Sequence, residues 1–369
     1  MVFTQLLQLS NVMLRISNGK PAYAFITMGD TRWRNLKARA KYTLMRLQRV
    51  VYPDAYFIPA WLGGRVKFIP LGKRTNPDRY ARLFSELHAG IRQLEHPLAL
   101  MERDPWKMIL IIGPPEIFKS YASPEAWELA RRLLQEAGQV WAYCQQAADF
   151  ANELAGGAVA RVIPWPFDYE TTHRIGFGSP GSNDRRLIKV LIGVPLQFVG
   201  IAANEPAFLE DCLAAALTAL PIGDRERFQF FGMVYTKDDA LAWRQSGFGK
   251  KIGVTLEPKK LYTTFLRFVG DCDAVITLPR FSVLGRIAFV AAALDKPGIF
   301  TANVELHRRL YPHSLVASSI DPSLKESVRD LLSGLACGQP PARFLPDAAA
   351  AREVGDLTNN GALLRRLLN

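Results

Sequence analysis

Short apolar runs alternate with amphipathic stretches along most of the chain. Runs such as 22–28, 108–112 and 274–278 carry no charged side chain, which is typical of strands buried on both faces of a sheet. The stretches between such runs place apolar residues three or four positions apart, as in helices with one buried face. This alternation predicts β-α-β units with parallel strands, and hence an α/β fold.

The same pattern predicts the individual elements. We predict strands at 22–28, 56–58, 66–69, 108–112, 140–143, 162–163, 188–194, 228–234, 252–254, 274–278 and 297–300. We predict helices over 33–50, 78–94, 208–220, 237–245, 261–268, 286–294 and 322–332, and a helix pair within 347–367. The helix over 78–94 is predicted because Leu83, Leu87 and Ile91 lie four positions apart. A further helix is expected to begin at Ser123-Pro124, since Ser suits the N-cap and Pro the first turn.

One segment interrupts this alternation. Residues 175–183 (IGFGSPGSN) hold three Gly, two Ser and one Pro in nine positions, which favours a flexible linker. A chain of 369 residues is expected to form two domains. We therefore predict an N-terminal Rossmann-like domain over 1–170, a linker over 171–186 and a C-terminal Rossmann-like domain over 187–345. Closing helices over 346–369 are expected to pack back on the N-terminal domain.

Basic residues concentrate in the first half. The whole chain holds 46 Lys and Arg against 34 Asp and Glu, a net charge of +12, and residues 1–168 hold 22 against 14, which leaves +8 there. The eighteen residues 32–49 include seven basic residues and no acid. This run is either a solvated helix face or a surface for a polyanion such as nucleic acid or anionic lipid. The candidate polyanion-binding residues are Arg32, Arg34, Lys37, Arg39 and Lys41.

Several classes of protein are excluded by what the sequence lacks. No stretch reaches the roughly 20 apolar residues of a membrane helix, and the first fifteen residues lack the pattern of a signal peptide. The four cysteines and five histidines are scattered, so we expect no metal site and no disulfide framework. We expect a cytoplasmic protein, either free or peripherally attached to a membrane.

Two segments carry a family resemblance. Three pieces of the second half match one family pattern in the same order. A strand begins at Cys272-Asp273-Ala274-Val275, Gly285 follows that strand, and the run 293–297 (ALDKP) corresponds to an A-x-G-K-P segment. Residues 160–170 (ARVIPWPFDYE) are similar to a V-x-V-I-P-N-G-V-D segment. Together these matches cover about half of the chain. They resemble the GT-B glycosyltransferases, closest to their large family-4 group. The resemblance implies two Rossmann-like doubly wound domains facing across a cleft, with the acceptor on the first and a nucleotide-sugar on the second.

The loop after the predicted strand 274–278 is an independent candidate for binding phosphate. A helix N-terminus with a glycine offers free backbone N–H groups to an anion, and two arginines flank this one. Lys237, after the strand 228–234, is a further phosphate candidate, and Glu305 lies where the family's loop reaches the donor. The candidate donor-binding residues are Arg280, Ser282, Val283, Gly285, Arg286, Glu305 and Lys237. The favoured co-substrate is a UDP-sugar, no tightly bound cofactor is expected, and dependence on Mg²⁺ is left open.

The catalytic acids of the family are replaced. The paired glutamates of its E-x7-E motif would fall on Ser282 and Val290, neither of which is acidic. A base is therefore sought in the loops of the first domain. Asp30 follows the first strand and is the first candidate, with an N-cap as its structural alternative. Glu116 follows the strand 108–112 and is the second, with a solvated loop carboxylate as its alternative.

Two functions remain open on this sequence. One is a glycosyltransferase that moves a sugar from a nucleotide-sugar to an acceptor on a polyanionic surface. That surface is either an anionic membrane with a lipid or glycan acceptor, or DNA with a modified base. The other function is a non-catalytic nucleotide- or nucleic-acid-binding protein on a degenerate GT-B fold. Transfer or hydrolysis of a donor distinguishes the two.

Overall fold

A computed structural model describes residues 23–27, 66–70, 80–165, 167–177, 187–193, 204–234, 237–258, 260, 262–279 and 285–368. By its internal contacts the chain divides into two compact units, Met1–Phe167 with Asp356–Asn369, and Asp168–Gly355. Each unit contains one six-stranded sheet in which all neighbouring strands run parallel. The predicted α/β class with two doubly wound, Rossmann-like sheets is confirmed.

The sheet of the first unit reverses its winding between its first and third strands. Its strands are β1 (Tyr23–Thr27), β2 (Val66–Pro70), β3 (Arg82–Glu86), β4 (Met108–Ile112), β5 (Gln139–Ala142) and β6 (Ala160–Val162). They lie in the order β2-β1-β3-β4-β5-β6. The chain winds outward from β1 to β2 and then returns to β3, so the topological switch point lies between β1 and β3.

Helices cover one face of this sheet. They are α1 (Ile91–Met101), α2 (Pro115–Tyr121), α3 (Pro124–Glu136) and α4 (Gln145–Ala155), and the unit also includes the chain's last described helix, Leu357–Leu368. Ser123 caps α3 as predicted, because its hydroxyl accepts a hydrogen bond from the N–H of Ala126 at 3.2 Å. The core on this face joins Leu83, Leu110 and Val140 of the sheet to the apolar sides of α1, α3 and α4.

The second unit has the same organisation. Its strands are β7 (Ile188–Gly193), β8 (Phe228–Val234), β9 (Val254–Pro258), β10 (Ala274–Thr277), β11 (Gly298–Thr301) and β12 (Leu315–Val316). They lie in the order β12-β11-β10-β7-β8-β9, which puts the switch point between β7 and β10. Burial of β10 and β11 on both faces explains their uninterrupted apolar runs.

The helices of the second unit are α5 (Tyr169–Phe177), α6 (Asn204–Ala219), α7 (Ile222–Arg225), α8 (Lys237–Ser246), α9 (Tyr262–Gly270), α10 (Arg286–Ala293), α11 (Glu305–Leu310), α12 (Ser323–Ala336) and α13 (Ala348–Val354). The terminal helix Leu357–Leu368 is α14. The N-terminal end of α5 is tied to the C-terminal end of α13, since the N–H of Tyr169 donates to the carbonyl of Gly355 at 3.0 Å.

The predicted helix over 78–94 is wrong. Residues Arg82–Glu86 form β3, and the helix that follows begins only at Ile91. Leu83 to Glu86 are buried on both faces of the sheet, so the apolar spacing of 83, 87 and 91 does not mark one helical face. The correction matters because it moves Glu86 from a predicted helix into the interior of a sheet.

The domain limits predicted from sequence remain predictions, and only part of the linker can be compared. Residues 171–177 of the predicted linker 171–186 belong to α5, while 178–186 lie outside the described residues. The terminal helix α14 belongs to the first unit, where the side chain of Gln139 donates to the carbonyl of Leu367 at 2.7 Å. Within the described ranges, no helix has both the length and the apolar character needed to cross a membrane.

Candidate functional site

A side-chain hydrogen bond joins the two strands at the switch point of the second sheet. The Thr277 hydroxyl, at the end of β10, donates to the carbonyl of Gly193, at the end of β7, at 2.8 Å. A Cβ on Gly193 would lie 2.7 Å from that hydroxyl oxygen, so only glycine fits there without a shift. The carboxyl ends of β7 and β10 are therefore held close together at the edge where ligands of such sheets bind.

The loop from β10 leads to a glycine that begins α10. Gly285 has φ 63°, a left-handed conformation that residues with a Cβ rarely adopt, and its carbonyl accepts the N–H of Phe289 at 3.0 Å. The end of β10 is also joined to β11, because the carbonyl of Pro279 accepts from the Thr301 hydroxyl at 3.2 Å and from the Asn303 amide at 3.0 Å. These contacts join the carboxyl end of β10 to the residues that follow β11.

A buried histidine contacts this glycine. His307 of α11 is 1% exposed, and its Nδ1 lies 3.0 Å from the carbonyl of Thr301. A carbonyl only accepts, so Nδ1 carries the proton and donates it, and burial lowers the pKa of His307 to about 4. The ring is therefore neutral, and Nε2 is an acceptor without a hydrogen-bond partner among the described residues. A Cβ on Gly285 would lie 3.3 Å from that Nε2.

The charged candidates near α10 occupy different positions. Arg286 is half-buried in the first turn of α10, with its guanidinium carbon 5.9 Å from the centre of the Phe265 ring. Glu305 is half-buried in the first turn of α11, after β11. Lys237 is the first residue of α8, the helix that follows β8, and its side chain is not described. The structure thus places Gly285, Arg286 and Glu305 around the carboxyl ends of β10 and β11.

The remaining donor-side predictions are not described. Arg280, Ser282 and Val283 lie outside the described residues. Val290, which takes the second position of the family's glutamate pair, is completely buried in α10. A carboxylate would be costly in that apolar position, so the replacement by valine agrees with its surroundings.

In the first unit only one predicted catalytic residue is described. Glu116 lies in the first turn of α2, after β4, and accepts a hydrogen bond from the Gln146 amide at 2.8 Å on an exposed surface. Asp30 and the predicted polyanion-binding residues lie outside the described residues, namely Arg32, Arg34, Lys37, Arg39 and Lys41.

Sequence analysis missed a second carboxyl group in this unit. Glu86 is the last residue of β3, is 1% exposed, and has no hydrogen-bond partner for either carboxylate oxygen within the described part of the chain. Burial raises its pKa from an ordinary 4.5 to about 8, so the carboxyl is mostly protonated at neutral pH. His88 follows two positions later, and burial lowers its pKa to about 4. The only sequence signal for Glu86 was an acid inside an apolar run, which the helix assignment concealed.

The structure was compared with known proteins. No protein-family model and no curated protein sequence matches the chain. Among solved structures, HepE from Anabaena, determined in complex with UDP and glucose, matches with a TM-score of 0.58 at 12% identity, over 95% of this chain and 99% of HepE. An Escherichia coli trehalose-6-phosphate structure bound with UDP-2-fluoro glucose matches with a TM-score of 0.56 at 12% identity, over 79% of this chain and 75% of the other.

A third match extends the same pattern. A UDP-forming α,α-trehalose-phosphate synthase from Burkholderia xenovorans gives a TM-score of 0.57 at 10% identity, over 92% of this chain and 77% of the synthase. The chain therefore has the GT-B glycosyltransferase fold, as the resemblance implied. Its assignment to the family-4 group stays a prediction, as does the cleft between the domains.

Proposed function

We propose that this protein is a glycosyltransferase that takes a sugar from a UDP-sugar. The observation that carries the proposal is the arrangement after β10, where a left-handed glycine lies against the neutral ring of His307 and precedes the first turn of α10, which includes Arg286. Support comes also from the fold, since similar structures were determined with UDP or UDP-glucose bound. The second unit would hold the nucleotide and the first the acceptor.

The chemistry of a diphosphate suits this arrangement. The N-terminal end of α10 presents backbone N–H groups and the positive end of the helix dipole, which favour negative oxygens. Arg286, in that first turn, adds a guanidinium that pairs with phosphate in a planar, two-pronged geometry. As the glycosidic bond to UDP breaks, the same groups stabilise the charge that develops on the leaving diphosphate.

Arg286→Ala is expected to weaken UDP binding at least tenfold, because charge-assisted hydrogen bonds to a diphosphate are worth roughly 1.5–3 kcal/mol. Isothermal titration calorimetry with UDP, with and without Mg²⁺, measures the change in Kd. Arg267→Ala is the matched control, since Arg267 is an exposed arginine in the last turn of α9. Equal affinities in the two variants would contradict the role of Arg286, and no UDP binding by the wild type would contradict the proposed donor.

We further propose that the acceptor lies on a polyanionic surface, either an anionic membrane or DNA. The support is the net charge of +12 and the acid-free basic run in residues 32–49. Asp30 and Glu116 remain the candidates for the acid–base group that this transfer would use in the first unit.

Replacing five residues of the basic run by glutamine is expected to weaken polyanion binding at least tenfold and to flatten its dependence on salt. The substituted residues are Arg32, Arg34, Lys37, Arg39 and Lys41. Binding is measured over a series of salt concentrations on phosphatidylserine vesicles and on duplex DNA. A control variant loses the same number of exposed charges from the second unit, at Arg244, Lys250, Arg267, Lys325 and Arg329. Equal losses in both variants would show that overall charge, not this run, binds the polyanion.

One observation favours the non-catalytic alternative. Both positions of the family's glutamate pair lack an acid, and Val290 is buried where a carboxylate would be costly. A pure binder would bind UDP yet release none from UDP-glucose, even at high protein concentration. Release of UDP that depends on added protein and disappears with Arg286→Ala supports the enzyme.

A further inference from the structure

The first unit has a second polar site at its own switch point. Glu86 ends β3, the strand at which the winding of this sheet reverses, and it pairs with Ile111 of β4. Ligands of doubly wound sheets bind outside the carboxyl ends of the strands at this point. Glu86 therefore lies at the carboxyl edge of the sheet, where ligands bind. Its side chain is on the face opposite the one that α1, α3 and α4 cover.

Three neighbouring strands contribute to one spot on this face. Side chains alternate along a strand, so Glu86 shares its face with Phe84, and Tyr143 shares its face with Trp141. The Phe84 and Trp141 rings contact each other edge to face, with 5.8 Å between their centroids. The side chains of Glu86 and Phe84 therefore lie on the same face of the sheet as those of Tyr143 and Trp141. Between them, after β4, lies Gly113, where a Cβ would come within 3.1 Å of a Glu86 carboxylate oxygen. Glycine at this position therefore makes room for the Glu86 carboxyl group.

The second polar group of this spot is the Tyr143 hydroxyl. Tyr143 is 3% exposed, and its hydroxyl also has no hydrogen-bond partner among the described residues. Burial raises the pKa of Tyr143, and the charge of Glu86 raises it further, which places the two groups within electrostatic reach. Trp165 stacks on the Tyr143 ring at 6.0 Å between centroids and holds the phenol in place.

Leaving these groups without partners is expensive. A buried carboxyl or hydroxyl that lacks a hydrogen bond costs folding free energy, and native proteins keep very few of them. An isolated pair at the ligand-binding edge is explained most simply if a ligand supplies the missing hydrogen bonds.

We infer that Glu86 and Tyr143 form a binding site for a hydroxyl group of an uncharged, polyhydroxylated ligand, such as a sugar or sugar alcohol. The inference deepens the proposed function and rests on it in one respect, namely that this ligand is the acceptor of the transfer. The polyanionic surface and the bound hydroxyl are then two parts of one acceptor, or of its carrier.

The ligand class follows from the chemistry of the two groups. A carboxyl and a phenol both donate and accept hydrogen bonds, and an alcohol hydroxyl does the same, so the three satisfy one another. A phosphate or carboxylate would lose its hydration on this apolar face, and the protonated carboxyl group offers no positive charge in return. An ammonium group would have to enter a face lined by Phe84, Ile111 and Trp141, with a large desolvation penalty.

The test measures binding of free sugars to the full chain by saturation-transfer NMR. The neutral probes are glucose, galactose and mannitol, and the charged comparators are glucose 6-phosphate and glucosamine. We expect at least one neutral probe to bind the wild type, to lose its signal with Glu86→Leu, and to bind about three- to tenfold more weakly to Tyr143→Phe. Glu95→Leu, which changes an exposed glutamate on α1, is expected to bind like the wild type.

Three results would overturn the inference. They are no binding of any neutral probe, equal binding to Glu86→Leu and wild type, and binding of the charged comparators alone. If no probe binds, water is the remaining partner of the buried groups. Thermal melting of each variant checks its folding, and Glu86→Met, which keeps the length of the side chain without its hydrogen-bonding groups, replaces Glu86→Leu if the latter does not fold.

UDP binding in the same samples separates this inference from the proposed function. If the donor site is right, all the variants bind UDP with the wild-type Kd, because none of the substitutions lies in the second unit. Sugar binding without UDP binding would contradict the proposed donor and leave the Glu86 site standing. UDP binding with no sugar binding would contradict the Glu86 site and leave the proposed donor standing.

Discussion

Glu86→Gln is expected to stabilise the protein by a margin that grows with pH. Burial raises the pKa of Glu86 from 4.5 to about 8 in the folded state, while the unfolded chain keeps the ordinary value. Between these two values the folded state holds a proton that the unfolded state has lost, so stability falls as pH rises. The loss is complete above about pH 8, where the folded carboxyl is also ionised. Glutamine does not titrate and avoids this loss.

The size of the effect follows from the width of that window. At roughly 1.4 kcal/mol per pH unit, the stability of the wild type relative to Glu86→Gln is expected to fall by roughly 2–3 kcal/mol between about pH 5 and 7, and by roughly 4 kcal/mol between about pH 5 and 9. Urea unfolding of both proteins at several pH values measures the difference. Other groups titrate alike in the two chains, so their contributions cancel.

Glu95→Gln is the matched control, since it removes an exposed carboxyl from the same unit. The stability difference from the wild type is expected to change more strongly with pH for Glu86→Gln than for this control. A difference for Glu86→Gln that does not change with pH would show that the carboxyl is hydrated or paired in the folded protein, and the proposed sugar site would lose its main support. A neutral sugar that binds the site is expected to add stability that rises with the logarithm of its concentration once this exceeds the Kd.

Most strands of the sheets were predictable because they are short, apolar and separated by helices. The predicted strand 252–254 shares only its last residue with β9, however, and β12 was not predicted. Met108–Ile112 and Phe228–Val234 agree with the structure at both ends. The strand β3 was not predictable, since a central strand that is buried on both faces has no alternation of apolar and polar residues to distinguish it from a helix. The sequence RLFSEL contains apolar residues at both strand parities and at helical spacing, and only the pairing with β1 and β4 decides between them.

The candidate site divides in the same way. The placement of Gly285 and Arg286 at the start of α10 was predictable, because a glycine between an apolar strand and a helix has a local physical meaning in the sequence; their binding of a donor stays a prediction. His307 was not predictable, since its role depends on the carbonyl of Thr301 and on the approach of α11 to Gly285. Glu86 and Tyr143 lie 57 positions apart in sequence. They become neighbours only through the strand order, which no local pattern contains.

Gly285→Ala is expected to damage both the fold and UDP binding, whereas a second glycine serves as a control for the backbone alone. Gly285 has φ 63° and Gly338 has φ 73°, so alanine is strained to a similar degree at both positions. At Gly285 the new Cβ would also lie 3.2 Å from Cδ2 of His307 and 3.2 Å from Cδ2 of Leu306. At Gly338 no described atom lies within 4 Å of the Cβ position.

The two variants therefore separate strain from crowding. Gly338→Ala is expected to cost about 1 kcal/mol of stability, the usual cost of a left-handed alanine, and to leave UDP binding unchanged. Gly285→Ala is expected to cost about 2–3 kcal/mol, because a well-packed core resists the shift of His307, and to weaken UDP binding at least tenfold. Urea unfolding and calorimetric titration with UDP measure the two effects. If both variants lose the same stability and keep their affinity for UDP, the contact between His307 and Gly285 has no part in donor binding. If only Gly285→Ala loses affinity, the N-terminal end of α10 is where the nucleotide binds, since the two substitutions differ chiefly in what surrounds them.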